Sequence, residues 1–319
     1  MTAEYDRAKA FYEANYEPAE QMTLKGTRKI HLGKASPQHC RFCGRQAPTV
    51  TFRKNAHTFP ELIGNRILLS CDECDTCNEL FSDTIEDNYA KFTTLQRVAS
   101  RVEGKGGVPT FRSNDKKTRW ELKDGQGQIM ADNDAKTVTV DVANRKMTFT
   151  ATRPPYYPIL AYKCLVKMAL AVMPPDQLAY FARTLQWLQV RAPAPVPLPF
   201  PCWLLLSTVS GDPPFKVISF RLLRRKVSTA ALPHYTFVVM WGSYMEQIFL
   251  PFSTADAHLT GAMKVPFHHN SGAQPGSPRK VTYHAVDLSS CERRVDEIHT
   301  MHFVMDSIVK MPGGGEKPA

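Results

Sequence analysis

Residues 40–87 read CRFCGRQAPTVTFRKNAHTFPELIGNRILLSCDECDTCNELFSDTIED, and this stretch decides the fold. Two Cys-x-x-Cys knuckles stand about 30 residues apart, Cys40 with Cys43 and a second within CDECDTC. Each knuckle places two thiolates on a tight turn, and the intervening chain closes a tetrahedral Zn²⁺ site. CDECDTC holds two overlapping knuckles, Cys71 with Cys74 or Cys74 with Cys77. The second is preferred, because Asn78 then follows the last ligand directly and the helix starts there. Cys71 becomes the spare, packed at the end of the strand NRILLS. Four thiolates leave zinc no open position for water or substrate, so the expected ion is structural.

Between the knuckles the pattern predicts a strand over PTVTFRKN, then His57 in AHTFPELIGN, then a second strand. From Asn78 onward Phe81, Ile85, Tyr89, Phe92 and Leu95 recur every three or four residues, which predicts a helix over about 78–102 ending at the glycines of EGKGG. Upstream, Ala8, Phe11, Tyr12 and Tyr16 recur at helical spacing, followed by the basic connector KGTRKIHLGK. Downstream, WELKD, GQGQIMA, KTVTVDV and KMTFTATR read as an antiparallel meander. Two helical stretches follow, YPILAYKCLVKMALAVM and PDQLAYFARTLQWLQV. The proline-dense connector APAPVPLPFP precedes the strand-like runs WLLLSTV, FKVISFRLL, YTFVVMWG and EQIFLPF. HHNSGAQPGSPRK reads as a flexible loop and PGGGEKPA as a disordered tail. The expected division is 1–35 helix and connector, 36–103 zinc module, 104–311 a larger α+β module with mainly antiparallel strands, and 312–319 tail.

The 319 residues are 43% apolar and 22% charged, enough to bury a sizeable core and against a disordered chain. A net charge of +10 favours polyanionic partners, nucleic acid before anionic membrane. No apolar run reaches the roughly 18 to 20 residues of a bilayer span, and the charged first thirty residues lack a signal core. An integral membrane protein and a secreted one are therefore not expected. A reduced, cytoplasmic compartment is, and clustered thiols there bind zinc before they form disulfides. The lone Cys164, Cys202 and Cys291 read as small buried apolar residues, the run Arg224, Arg225, Lys226 as a basic turn, and His268 with His269 as loop residues.

The pattern H-x-x-P-x-x-x-G over His57–Gly64, followed by C-x-x-C-N-x-x-F-x-x-x-I-E over Cys74–Glu86, resembles the HNH endonucleases, the ββα-metal nucleases, in the branch where a zinc braces the motif. The resemblance covers about a fifth of the chain. It implies an N-terminal zinc-stabilised ββα-metal module that hydrolyses DNA phosphodiester bonds, in host defence, restriction or mobile-element biology, with two-fold assembly where both strands are cut. His57 would act as general base, since a neutral imidazole near pH 7 takes a proton from attacking water. Asn78, at a helix N-terminus, would be a neutral oxygen ligand of a catalytic Mg²⁺ or Mn²⁺. Asn65 would brace the loop through backbone hydrogen bonds. Cys40, Cys43, Cys74 and Cys77 would hold the zinc.

One position departs from the family. The residue before the histidine is commonly an acidic ligand of the catalytic metal, and here it is Ala56. Asn55, Glu61, Asp83 or Glu86 are the candidate replacements, Glu86 matching an acidic position of the broader family; otherwise Asn78, waters and the scissile phosphate hold the ion. Arg41, Arg45, Arg53, Lys54 and Arg66 flank the site as candidate phosphate contacts, with plain surface residues as the other reading. Ala56 also sustains a rival from another class, a non-catalytic zinc ribbon that binds nucleic acid or protein. Residues 1–103 hold 14 Lys plus Arg and 14 Asp plus Glu, so the basic excess lies beyond the glycine break. A fragment ending there is expected to bind DNA more weakly, with a shallower salt dependence.

Overall fold

The computed structural model describes residues 2–34, 37–113, 116–132, 136–259, 263–269 and 279–304. The tail PGGGEKPA and most of the HHNSGAQPGSPRK loop lie outside them. The largest element is a six-stranded antiparallel sheet in the order Tyr16–Thr23, Phe215–Arg225, Tyr235–Gly242, Tyr244–Phe249, Trp203–Val209, Val281–Asp287. Its centre is the buried strand Tyr235–Gly242, whose unbroken aromatic and β-branched run suits a strand covered on both faces. A two-residue turn at Gly242 and Ser243 leads into the next strand. Gly242 has φ +57°, and a Cβ there would come within 2.5 Å of the Ser100 side chain, so the turn requires glycine twice over.

Residues 16–23 are the first departure from expectation. Tyr16, expected within the helix, and the residues leading to the connector form instead an edge strand paired with Phe215–Arg225. The run YEPAEQMT carries Pro18 and two glutamates and little apolar alternation. Such a sequence suits a sheet edge, where one side of the ladder needs no partner. The helix before it, Thr2–Asn15, is as expected. Part of the basic connector is also structured: Ile30–Leu32 pairs in parallel with Leu68–Ser70, which pairs antiparallel with Ala56–His57. PTVTFRKN is not a strand. The Asp75 carboxylate takes the backbone N–H groups of Arg53 and Lys54 (3.1 and 2.8 Å) and the Thr51 hydroxyl, which removes donors a ladder would need. The expected meander of WELKD, GQGQIMA, KTVTVDV and KMTFTATR is divided. Thr118–Lys123 pairs with Phe111–Arg112 and Gln126–Ala131, whereas Lys146–Thr152 pairs with Val138–Asp141 and with Ile298–Val304.

The helix Pro158–Ala171 joins the two ends of the chain. All 14 of its residues are buried, and Pro158 sits where a missing N–H costs nothing. Both of its ends are held by the cysteine-bearing segment. Asn88 Oδ1 accepts from the Tyr157 N–H at 2.8 Å, and Arg41 Nη1 donates to the carbonyls of Leu170 and Met173 at 2.7 and 3.0 Å, satisfying groups the helix cannot satisfy itself. One buried cluster accordingly contains Cys40, Phe42, Phe81 and Phe92 together with Leu165, Met168, Phe237 and Leu288. The glycine stretch at 104–107 does not divide this core. A fragment ending at residue 103 would lose the partner of the Tyr16–Thr23 strand and the cover over Phe42 and Phe81, so the fragment comparison does not isolate the charge effect.

The remaining expectations are met in part: Arg224 and Arg225 end the strand Phe215–Arg225 rather than forming a turn. Cys164 and Cys202 are buried and Cys291 is partly so. Arg224 pairs with Glu17, Arg225 with buried Asp256, and Lys226 reaches the Glu13 carbonyl, so this basic run is bound to its own protein. His268 is buried, its N–H donating to Gln247 Oε1 at 2.7 Å and its ring 4.7 Å from that of Tyr12. No helix among the described residues is long and apolar enough to cross a membrane.

Candidate active site and metal centre

Cys40 and Cys43 flank the first turn, Cys74 stands at the N-cap of the helix Asp75–Phe81, and Cys77 lies in that helix's first turn. Their four sulfurs lie within 4.8 Å of one another, with Cys43 and Cys74 at 3.8 Å. A tetrahedral Zn²⁺ about 2.3 Å from each sulfur would set them about 3.8 Å apart, so the quartet fits the ion. The Cys74 N–H points at Cys40 Sγ (3.5 Å) and Arg45 Nε at Cys43 Sγ (3.3 Å), both favouring thiolate. Four thiols this close cannot all ionise unaided. The hydrogen bond from Cys77 draws Cys40 down to about 5 and raises Cys77 itself, while burial pushes Cys74 up to about 11. A divalent cation resolves the conflict, because it lets all four lose their protons. Cys71 stands apart, its sulfur 3.7 Å from His31 Nδ1.

The helix begins three residues earlier than the spacing suggested, since the knuckle is its first turn. Asn78 therefore sits one turn inside, its N–H bonded to the Cys74 carbonyl (2.9 Å), and the helix-end potential belongs to Asp75. The helix continues through a π turn, Ser82–Glu86, into Asp87–Phe92 and Thr94–Ala99. The wider π turn carries Glu86, and such turns recur at functional sites.

His57 ends the two-residue strand Ala56–His57 and is partly exposed, with Nε2 3.7 Å from Glu61 Oε1. Burial lowers its pKa against the pull of Glu61, and Lys167, Lys29 and Lys105 act in the same direction as burial. The imidazole is thus neutral near pH 7, the state a proton acceptor needs. Ala56 is buried and offers no oxygen. The loop after His57 is braced by Asn65, fully buried, whose Nδ2 donates to the Phe59 and Leu68 carbonyls (2.7 and 2.8 Å) while Oδ1 accepts from the N–H groups of Ile67 and Leu68 (3.2 and 2.9 Å). Asn65→Ala would remove four hydrogen bonds to buried backbone, although the Leu68 carbonyl keeps the Thr58 N–H. Some of the freed groups regain water on relaxation, so the expected loss is about 2–4 kcal/mol, read as a lowered midpoint in urea with zinc content unchanged.

A lysine that the sequence reading passed over lies at the centre. Lys167, from the Pro158–Ala171 helix, is fully buried, with Nζ 3.1 Å from Glu73 Oε2, 3.5 Å from Glu86 Oε1 and 2.8 Å from the His57 carbonyl. Burial opposes its charge, but Glu73 and Glu86 raise its pKa and keep it protonated. Burial raises Glu73 to about 7 and raises Glu86 as well, each against the pull of Lys167. Glu86, expected as a ligand of the catalytic cation, thus faces an ammonium. Among the described residues, the cysteine quartet is the one group of three or more His, Cys, Asp or Glu side chains at metal spacing. Asn55 and Asp83 are exposed.

Arg41 is corrected. Its side chain is largely buried, with Nε bonded to Asp72 Oδ2 at 2.9 Å and Nη1 to the helix carbonyls described above, so these donors are committed to its own protein. Arg53, Lys54 and Arg66 are exposed, Lys54 beside Glu79 and Arg66 3.2 Å from Glu103. Glu73 and Lys167 are the site residues that sequence reasoning missed. The available signal was a charge inside the apolar run YPILAYKCLVKMALAVM, since a lysine on an all-buried helix must find partners.

Residues 40–92 match the family described as HNH endonuclease. No curated protein and no solved structure matches the chain. The match spans both knuckles, the His57 strand, the π turn and the start of the helical continuation.

Proposed function

We propose that this chain is a metal-dependent endonuclease that hydrolyses DNA phosphodiester bonds, a reading supported by the match of residues 40–92 to the HNH endonuclease family. The observation that carries the reading is the order of chemistry along the matched segment. Four cysteine sulfurs within 4.8 Å of one another accompany a short antiparallel strand pair, bearing His57, and a helix bearing Asn78. That is the arrangement expected of a ββα-metal site. His57 Nε2 takes the proton from the attacking water, and Glu61, 3.7 Å away, stabilises the imidazolium that results. Asn65 holds the loop that carries Glu61. Zn²⁺ on the four cysteines is structural. A catalytic Mg²⁺ or Mn²⁺ would be held by Asn78 with waters and a phosphate oxygen, and would neutralise charge growing on the phosphate. Arg53 and Arg66 supply exposed cations for the flanking backbone.

Buried Ala56 keeps a second reading in play, a zinc-braced module that binds nucleic acid without cutting it. One gel separates the two. Supercoiled DNA incubated with the protein and Mg²⁺ or Mn²⁺ is expected to be nicked, and EDTA to abolish nicking while zinc stays bound. Retarded but intact DNA under all conditions would establish the binder.

A further inference from the structure

We propose that Lys167 is a positioning residue for His57, reaching it from outside the matched segment; this rests on His57 being the base. A general-base histidine is ordinarily oriented through the hydrogen bond made by its second ring nitrogen. Here Nδ1 is buried with no hydrogen-bond partner, so the ring does not anchor itself. The strand under it is two residues long. What grips this position is the Lys167 ammonium on the His57 carbonyl at 2.8 Å.

The grip is itself over-determined. An ammonium has three N–H donors, and Lys167 faces three acceptors, the His57 carbonyl and the Glu73 and Glu86 carboxylates. Its Nζ also lies 5.9 Å from the ring centres of both Phe42 and Phe81. Phe42 is within the first knuckle, Glu73 adjoins the second, and Phe81 with Glu86 belongs to the helix of Asn78. The ammonium therefore lies among residues drawn from both knuckles, the His57 strand and the helix of Asn78. Stability alone is a weak reason for such a cluster, because well-packed apolar residues often serve a core as well as buried charges do. A directed hydrogen bond to a carbonyl, combined with ion pairs to two carboxylates, is what only the ammonium provides. The helix bearing it is packed on all sides, so the base is registered against the body of the protein rather than against the hairpin alone.

The test uses the full chain, with Lys167→Met and the double variant Lys167→Met with Glu73→Gln, which avoids leaving Glu73 as an unpaired buried carboxylate. Wild type and variants are compared on supercoiled DNA with Mn²⁺, alongside zinc content and thermal melting. The expected result is a zinc-loaded, cooperatively melting variant whose kcat falls on the order of 10²-fold with KM changed less than about threefold, as misplacement of a base predicts. A folded, zinc-loaded variant with wild-type kcat, or a loss confined to KM, would overturn the proposal. So would loss of zinc or of cooperative melting in both variants, which would make Lys167 purely structural. Failure of the wild type to cut under any metal is a different outcome, and sinks the nuclease reading itself.

Discussion

Cys77→Ser is expected to lose the bound zinc and, with it, the folded state of the segment around the site. Apparent binding free energies of structural zinc are about 10–16 kcal/mol, comparable to or above the roughly 5–15 kcal/mol that holds a whole domain. Here the metal has little to fall back on. The strands it secures are two and three residues long, and the core beneath them is shared with the rest of the chain. The overlapping knuckle supplies an internal control. Cys71 is three residues from Cys74 but faces His31, so Cys71→Ser should retain one zinc per chain and a wild-type melt. Zinc measured per chain, with circular dichroism on the same samples, decides the matter. A Cys77→Ser protein that keeps its zinc, or a Cys71→Ser protein that loses it, would mean that the ligand set includes the wrong cysteine.

Local patterns were legible and distant partners were not. The quartet is written in the spacing, because a knuckle is a turn that four consecutive residues determine. The long helix and the apolar strands of the six-stranded sheet follow from periodicity, which also reports neighbours only. Arg41 looked like a free cation for want of its partners, the carbonyls of Leu170 and Met173, about 130 residues on. Lys167 and the His57 carbonyl are separated by 110 residues, and no residue near His57 announces them. Tyr16–Thr23 failed for another reason: an edge strand with one open side can be polar, so its sequence matches a connector as well as a strand.

The same distinction revises what the basic excess means. By count it lies wholly beyond residue 103, which suggested a neutral cutting module tethered to a basic binding one. Yet the helix at 158–171 is capped at both ends by residues from the first hundred, and its lysine sits beneath the candidate base. Charge beyond the glycine stretch is thus carried by the same packed body as the site, and under the proposed function phosphate attraction and cleavage would share one frame.

His57→Ala should reduce cleavage by about 10²–10⁴-fold, the usual worth of a positioned base, while leaving zinc content and melting close to wild type. The second half of that expectation comes from how little the ring holds. Its contact with Glu61 is 3.7 Å and its Nδ1 bonds nothing, whereas the carbonyl gripped by Lys167 belongs to the backbone and survives the substitution. The pH profile gives an independent reading. Burial holds the folded pKa of His57 below the ordinary 6.5 even with Glu61 opposing, so the base is unprotonated at pH 7 and above. The rate should be level there and fall toward tenfold per pH unit once the pH drops below the folded pKa, because each added proton removes the lone pair that accepts from water. Glu61→Gln deletes the carboxylate that favours the imidazolium, lowers the pKa further, and should move the acidic limb to lower pH. Single-turnover cleavage between about pH 5 and 8 measures all three proteins. If His57→Ala cuts at the wild-type rate, or if the acidic limb of Glu61→Gln moves to higher pH, the proton is being taken elsewhere.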